Sequence, residues 1–297
     1  MRRYLSAGML AGLSAVHAQA GQAAERGSTA EPDFGYVYTT QIEERGETEL
    51  TLWATDRRGK SEGQYDAQAY RIELERGLTS RFQASLYADF ASHHVRRPGG
   101  EFEPMHRDFA FQGMEAEFKY RLLDPKRDGL GIAFYAEPGW SRIQNVTGEK
   151  GRELEVELKA IVQKEFLNDQ LVWAANVTLE PEWERGHQEM ILGVTRNSFE
   201  KELKLELSSG IAYRLDPRWW LAIEGRYHSV YPEWMHGLHR ENYAVYAGPT
   251  IHYAAGEWSV TATWLPQLFG KPSKRGSSLE LNDHEKRELR LKISREF

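Results

Sequence analysis

The chain has 297 residues, with 38 Lys and Arg against 44 Asp and Glu, and no cysteine. A net charge of −6 lacks the basic footprint of a nucleic-acid binder, and the missing cysteine excludes disulfides, thiol catalysis and thiolate metal sites together. A mean hydropathy of −0.64 argues against a bundle of membrane helices, but a transmembrane barrel escapes that objection because only alternate strand residues meet lipid.

Residues 1–20 read as a signal peptide. Arg2 and Arg3 give a positive start, residues 5–16 form a short apolar run, and Ala18-Gln19-Ala20 supplies an A-x-A cleavage pattern. The run is too short for a membrane helix, which needs about 20 apolar residues. Cleavage is expected after Ala20, with Ala18 as the alternative, and takes the net charge from −6 to −8. Residues 21–46 then form an N-terminal arm. Its opening is polar, yet residues 34–40 are apolar enough to pack, either folded inward as a plug or as a short periplasmic strand.

From residue 47 to 297 the pattern is dyad alternation. Leu154, Val156, Leu158, Ala160 and Val162 alternate with Glu153, Glu155, Glu157 and Lys159; Phe82, Ala84, Leu86, Ala88 and Phe90 alternate with Arg81, Gln83, Ser85, Tyr87 and Asp89. The Glu and Lys content favours helix, but a period of 2 decides for strand. Twelve strands are predicted, over 48–55, 65–76, 80–91, 109–122, 129–140, 152–164, 170–184, 199–215, 218–228, 243–253, 257–268 and 287–297. Most suit a tilted membrane strand of about 9–11 residues. Short links (76–80, 123–129, 165–170, 216–218, 254–257) alternate with long ones (55–64, 91–108, 141–151, 185–198, 229–242, 269–286). That parity predicts an all-β fold: a closed antiparallel transmembrane β-barrel with short periplasmic turns, longer external loops and paired terminal strands. Aromatic residues gather at both predicted interfaces, with Tyr120, Tyr213, Trp219, Tyr253, Trp258 and Phe297 at the periplasmic ends. Trp53, Phe90, Trp140, Tyr227, Tyr243 and Trp264 lie at the external ends.

The last strand carries its own signal. Leu289, Leu291, Ile293 and Phe297 share one face, interrupted by Arg295, and the chain ends on an aromatic. This resembles the C-terminal assembly signal of bacterial outer-membrane barrels. It implies outer-membrane lipids and the barrel-assembly machinery as partners.

Other stretches carry a family resemblance: Asp33-Phe34-Gly35-Tyr36-Val37-Tyr38-Thr39-Thr40, Tyr70-Arg71-Ile72-Glu73-Leu74-Glu75-Arg76-Gly77-Leu78-Thr79, and Gln163-Lys164-Glu165-Phe166-Leu167-Asn168-Asp169-Gln170. They resemble an uncharacterised family of proteobacterial outer-membrane barrels, similar in style to putative transporters of phenol-degradation operons. The resemblance implies fold and location, adds little about a substrate and supplies no catalytic motif; a small-molecule solute is a candidate partner.

With apolar faces turned to lipid, the other parity lines the lumen. The candidates are Arg71, Glu73, Arg81, Glu115, Glu117, Lys119, Arg121, Glu155, Glu157, Lys159, Lys204, Glu206, Glu224 and Arg226, joined by Glu75, Glu180, Arg214 and Arg290. Acids and bases in this set are too near balance to set an ion preference. Such charges either brace the wall across strands or tune a narrow pore. A structural or adhesive barrel without an open channel is the first alternative, and a barrel enzyme or metal-capturing surface protein the second. Catalysis is not expected: His228 and Ser229 point to opposite faces of one strand and cannot pair. No cofactor is expected either. His93, His94, His106, His187, His236, His239 and His284 fall in predicted external loops and read as solvated surface, so no metal ligand set is assigned.

Overall fold

The computed structural model describes residues 31–60, 63–96, 104–191, 194–272 and 277–297, with backbone only over 186–191 and 194–198. The predicted signal peptide and the first part of the arm lie outside the described residues. Twelve strands follow in order: β1 Thr48–Arg58, β2 Gln64–Thr79, β3 Phe82–Arg96, β4 Met105–Leu123, β5 Gly131–Ile143 and β6 Lys150–Phe166. The second half comprises β7 Leu171–Ile191, β8 Val194–Arg214, β9 Trp219–Pro232, β10 Asn242–Ala255, β11 Trp258–Gly270 and β12 Arg287–Glu296. Each pairs antiparallel with its sequence neighbours, and β1 closes on β12 with Leu52 opposite Ile293, so the sheet is a closed barrel. Closure leaves no strand edge unpaired, which a lipid environment requires.

The outer face is a belt of exposed apolar side chains, among them Leu52, Leu86, Phe118, Phe134, Leu154, Leu158, Leu207, Ile223 and Leu291. Exposure of large apolar residues on this scale is unfavourable in water and is the normal state in lipid. Leu158 sits halfway along β6, at mid-belt. Leu158→Arg should therefore cost about 2–4 kcal/mol of folding stability in bilayers, read as a shifted denaturant midpoint for refolding into vesicles. The opposite parity of β6 is buried at Glu153, Lys159, Ile161 and Gln163.

The periplasmic turns have specific causes. Ser80 and Arg81 alone join β2 to β3. A one-turn helix, Pro125–Asp128, follows β4; the Asp124 carboxylate accepts from the Lys126 and Arg127 N–H groups, and Gly129 ends it at φ 74°. Leu167, Asn168 and Asp169 all take positive φ between β6 and β7.

The external connections differ from expectation. β7 and β8 run on to Ile191 and from Val194, so most of the predicted loop 185–198 continues the ladder. Above the lipid nothing enforces apolar alternation, and a polar stretch containing Gly186 and His187 therefore reads as loop while it still pairs. For the same reason β1, β3, β4, β5 and β9 overrun their predicted external ends by three to five residues. The 59–63 link shrinks to five residues, shorter than the seven of periplasmic 124–130. Most predicted girdle residues do face outward; Trp219 packs on Tyr253 at 4.5 Å between ring centroids. Trp53 is the correction. It lies on the lumen parity, where its indole Nε1–H donates to Glu73 at 2.8 Å.

Candidate functional site: the lumen and the segment that crosses it

Residues 31–47 travel inside the barrel and contact nearly its whole circumference. Asp33 meets Lys292 on β12 at 2.6 Å and accepts from the Thr261 hydroxyl on β11 at 2.6 Å. The Glu224 carboxylate on β9 then accepts the backbone N–H groups of Gly35, Tyr36 and Val37 at 2.7, 2.8 and 3.0 Å. Asn176 on β7 bonds both the N–H and the carbonyl of Tyr38. Gln163 on β6 accepts from the Thr40 N–H at 2.8 Å, and Gln83 on β3 accepts from that of Glu43 at 3.0 Å. Gly46 N–H finally donates to the Gly77 carbonyl on β2. An extended segment has no internal partners for its backbone groups, and burial without partners is costly. Inward polar side chains at matching depth supply them.

Apolar packing fixes the same path. Phe34 and Val37 are buried against Val172, Ala174, Ala212, Trp220 and Ala222. Tyr38 packs on Ala133, Tyr135 and Ile161, with its ring 5.2 Å from that of Tyr135. Gly210 leaves the room Phe34 occupies, since a Cβ there would stand 2.6 Å from the Phe34 ring. The inner wall thus carries an apolar sector along β5 to β9, where the polar-in rule alone predicts charge.

Cavities lie on both sides of this segment. The periplasmic one, about 950 Å³, is lined by the arm and by Glu49, Trp53, Glu73, Glu75, Glu117, Lys119 and Lys292. The external one, about 830 Å³, is lined by Arg57, Lys60, Glu153, Glu182, Glu202, Lys204, Arg226, His228, Glu285, Glu288 and Arg290 among others. Tyr36 borders both. Its ring lies between the guanidinium groups of Arg226 and Arg290, at 4.2 and 3.8 Å. Eleven acids against five bases line the periplasmic cavity, and nine against five line the external one. The structure therefore gives the sign that the sequence left near balance.

Inward-folded loops narrow the external end. The 144–149 loop is held by Arg57 and Tyr65, which donate to the Asn145 and Val146 carbonyls, and by Arg107, which donates to the Gly148 carbonyl. Lys60 anchors the stretch before β12, contacting Glu285 at 3.3 Å and the Asp283 carbonyl at 2.6 Å. Burial alone would raise the Glu285 carboxyl, but Lys60 and Arg57 hold it at about 2.

At the periplasmic end, burial and then the carboxylates of Glu49, Glu296 and Glu47 push Glu43 up to about 7. A carboxyl raised in the docked state binds extra protons between about 4.5 and 7, so docking weakens as pH rises through that window. Backbone amides of 35–43 should show higher intrinsic-rate-corrected exchange protection at pH 5 than at pH 8. Glu43→Gln should abolish the difference, and equal protection at both pH values would contradict this role.

Most sequence-chosen lumen residues face inward and join ion pairs and hydrogen bonds across the strands. Arg71 contacts Asp89 at 2.7 Å, Glu115, and Glu137 at 3.5 Å, and stacks over Tyr87 at 4.3 Å. Glu117 accepts from Tyr87 and Gln83, Glu73 from Trp53, and Lys159 pairs with Glu157 at 2.6 Å while covering Tyr38 at 3.7 Å. Lys204 joins Glu180 and Glu182 beside Glu153 and Glu155; Arg226 joins Glu206 and Glu288. Glu224 holds the arm. Lys119 is buried at the periplasmic cavity, while Arg121 sits at its rim, 3.4 Å from Asp124. Arg81 is a correction: it is exposed in the two-residue turn before β3 and lines nothing. Asp89, Glu137, Glu182, Glu202 and Glu288 were missed; parity from neighbouring strand residues was the signal that could have found them. The histidines also depart from a uniform external-loop set. His93 and His284 are buried inside the barrel, His94 and His106 lie in strands, and the His187 side chain lies outside the described residues.

A family model matches residues 27–297. The chain belongs to DUF6662, a family of unknown function. None of the curated proteins matches it. Among solved structures, the COG4313 outer membrane channel from Pseudomonas putida F1 is similar with a TM-score of 0.61 and 14% identity, over 90% of this chain and 100% of that one. The beta domain of the Bordetella autotransporter BrkA gives 0.53 and 10%, over 86% and 100%. The translocator domain of the Neisseria meningitidis autotransporter NalP gives 0.50 and 9%, over 86% and 90%. At these identities the likeness is one of fold, that of outer-membrane β-barrels.

Proposed function

We infer that this DUF6662 protein is an outer-membrane pore that passes small cationic and neutral solutes through a lumen narrowed by its own N-terminal segment. The observation that carries this reading is the pair of acid-rich cavities, about 830 and 950 Å³, stacked on either side of Tyr36. A wall of one dominant sign concentrates counter-ions and disfavours co-ions. The name of the Pseudomonas putida relative, an outer membrane channel, supports the same class. Liposome swelling tests it. Vesicles carrying the protein should swell faster in small cationic amino compounds than in size-matched carboxylates. Phenol-type solutes form a separate arm of the same test. Equal, protein-independent rates for every solute would favour a closed structural barrel.

Placement in the outer membrane is part of the same reading. Leu289 and Leu291 are exposed on the lipid face, Ile293 is half-buried there, and the exposed Phe297 ring stacks under Arg295 at 4.7 Å. Arg295 also reaches Glu257 at 3.3 Å, which accounts for a charge on that face. Deleting Phe297 should lower outer-membrane yield severalfold, whereas Arg295→Gln should change it little. Equal fractionation yields for wild type and the deletion would remove the assembly role.

A further inference from the structure

We propose that His94, His106 and Asp108 form a binding site for a divalent transition-metal ion, Zn²⁺ or its neighbours, on the external rim of the β3–β4 hairpin. The two histidines stand directly opposite each other in the ladder, with ring centroids 4.6 Å apart. One Asp108 carboxylate oxygen lies 3.8 Å from His94 Nε2 and 3.5 Å from His106 Nε2. Ligands at about 2.0–2.2 Å from a tetrahedral Zn²⁺ lie roughly 3.3–3.6 Å from one another; Asp108 already stands near that spacing from both imidazoles, and all three ligand atoms lie within 4.8 Å of one another.

The backbone explains why Asp108 joins the pair. Between the Ala91–Ala110 and His93–Arg107 pairings, β4 carries one residue more than β3. Such a bulge re-aims side chains: His106, Asp108 and Phe109 are all exposed while Arg107 between them turns inward. The cluster is also in water. It lies four residues beyond Phe90, which stacks on Phe109 at 4.9 Å in the outer aromatic girdle. At about 3.3 Å per residue that is roughly 13 Å farther along the strand. Imidazole and carboxylate together suit Zn²⁺, Ni²⁺ and Cu²⁺, and three protein ligands leave coordination positions for water. A bound ion would also bridge the two strands beside His93 and Arg107, which bond the 144–149 loop over the external cavity.

Isothermal titration of the untagged full-length mature chain in detergent, with ZnCl₂ and then NiCl₂ at pH 7.5, tests the site. One-to-one saturable binding is expected. His94→Ala and His106→Ala should each weaken it at least about tenfold, Asp108→Asn less, and the double variant His236→Ala/His239→Ala not at all. In the same samples Zn²⁺ should slow amide exchange in 91–96 and 105–108 for wild type but not for His94→Ala. The targeted side chains are substantially exposed, at 34, 68 and 85%, so their loss leaves the barrel intact. Absence of saturable binding, or binding unchanged in both histidine variants, overturns the site.

Discussion

Glu224→Ala should raise single-channel conductance severalfold and leave the barrel folded. In the native chain this carboxylate accepts three successive backbone N–H groups of the arm, at 2.7 to 3.0 Å. Hydrogen bonds to charged acceptors contribute about 1.5–3 kcal/mol each, and a buried unsatisfied donor costs about 1–3 kcal/mol. Loss of all three therefore shifts docking by at least about 3 kcal/mol, more than a hundredfold in population. The Thr250 and Thr263 hydroxyls, which also donate to Glu224, can re-pair with each other at 2.7 Å. The wall should thus survive the change. Glu224→Gln keeps one acceptor oxygen and should fall between wild type and the alanine variant. Unchanged conductance in Glu224→Ala, with the amides of 35–37 still protected from exchange, would show that the apolar contacts of Phe34 and Val37 hold the arm by themselves.

The second large effect concerns ion selectivity. Glu153, Glu200 and Glu202 border the external cavity, and changing all three to Gln should lower the cation-to-anion permeability ratio severalfold. Stability should move little. The contrasting variant is Glu137→Gln, which weakens the buried group around Arg71. Breaking a buried pair costs about 3–5 kcal/mol, so this variant should lose stability with little change in the selectivity of surviving channels. A reversal potential measured beside a denaturant midpoint separates the two outcomes. If the triple variant unfolds while selectivity stays fixed, these carboxylates brace the wall and do not tune a path.

Barrel class, strand number and closure were legible because lipid imposes a physical rule on every second residue. Leu154, Val156 and Leu158 must be apolar for the bilayer, and the period survives a composition rich in Glu and Lys. The rule stops where lipid stops, which is why the extensions of β7 and β8 went unseen. It is equally silent about the interior. Trp53 sits at the position of a girdle residue but on the lumen parity, and only its neighbours Glu73 and Lys292 show what it does there. The apolar patch of Val172, Ala212 and Trp220 is legible once Phe34 and Val37 are known to cover it. Charge sign failed for a related reason: Asp89, Glu137, Glu182 and Glu288 lie inside, yet a selection of conspicuous alternating residues passed over them. The two β4 bulges, one setting the inward Gln112 and the other the position of Asp108, have no signature in the sequence pattern.

The most direct measurement is planar-bilayer recording under a KCl gradient, on the full mature chain and on the chain lacking residues 21–46. The account predicts a small, cation-selective conductance for the intact protein. For the truncated protein it predicts a severalfold larger conductance with the same sign of reversal potential. No conductance from either protein, with both verified as folded barrels, would contradict the pore reading.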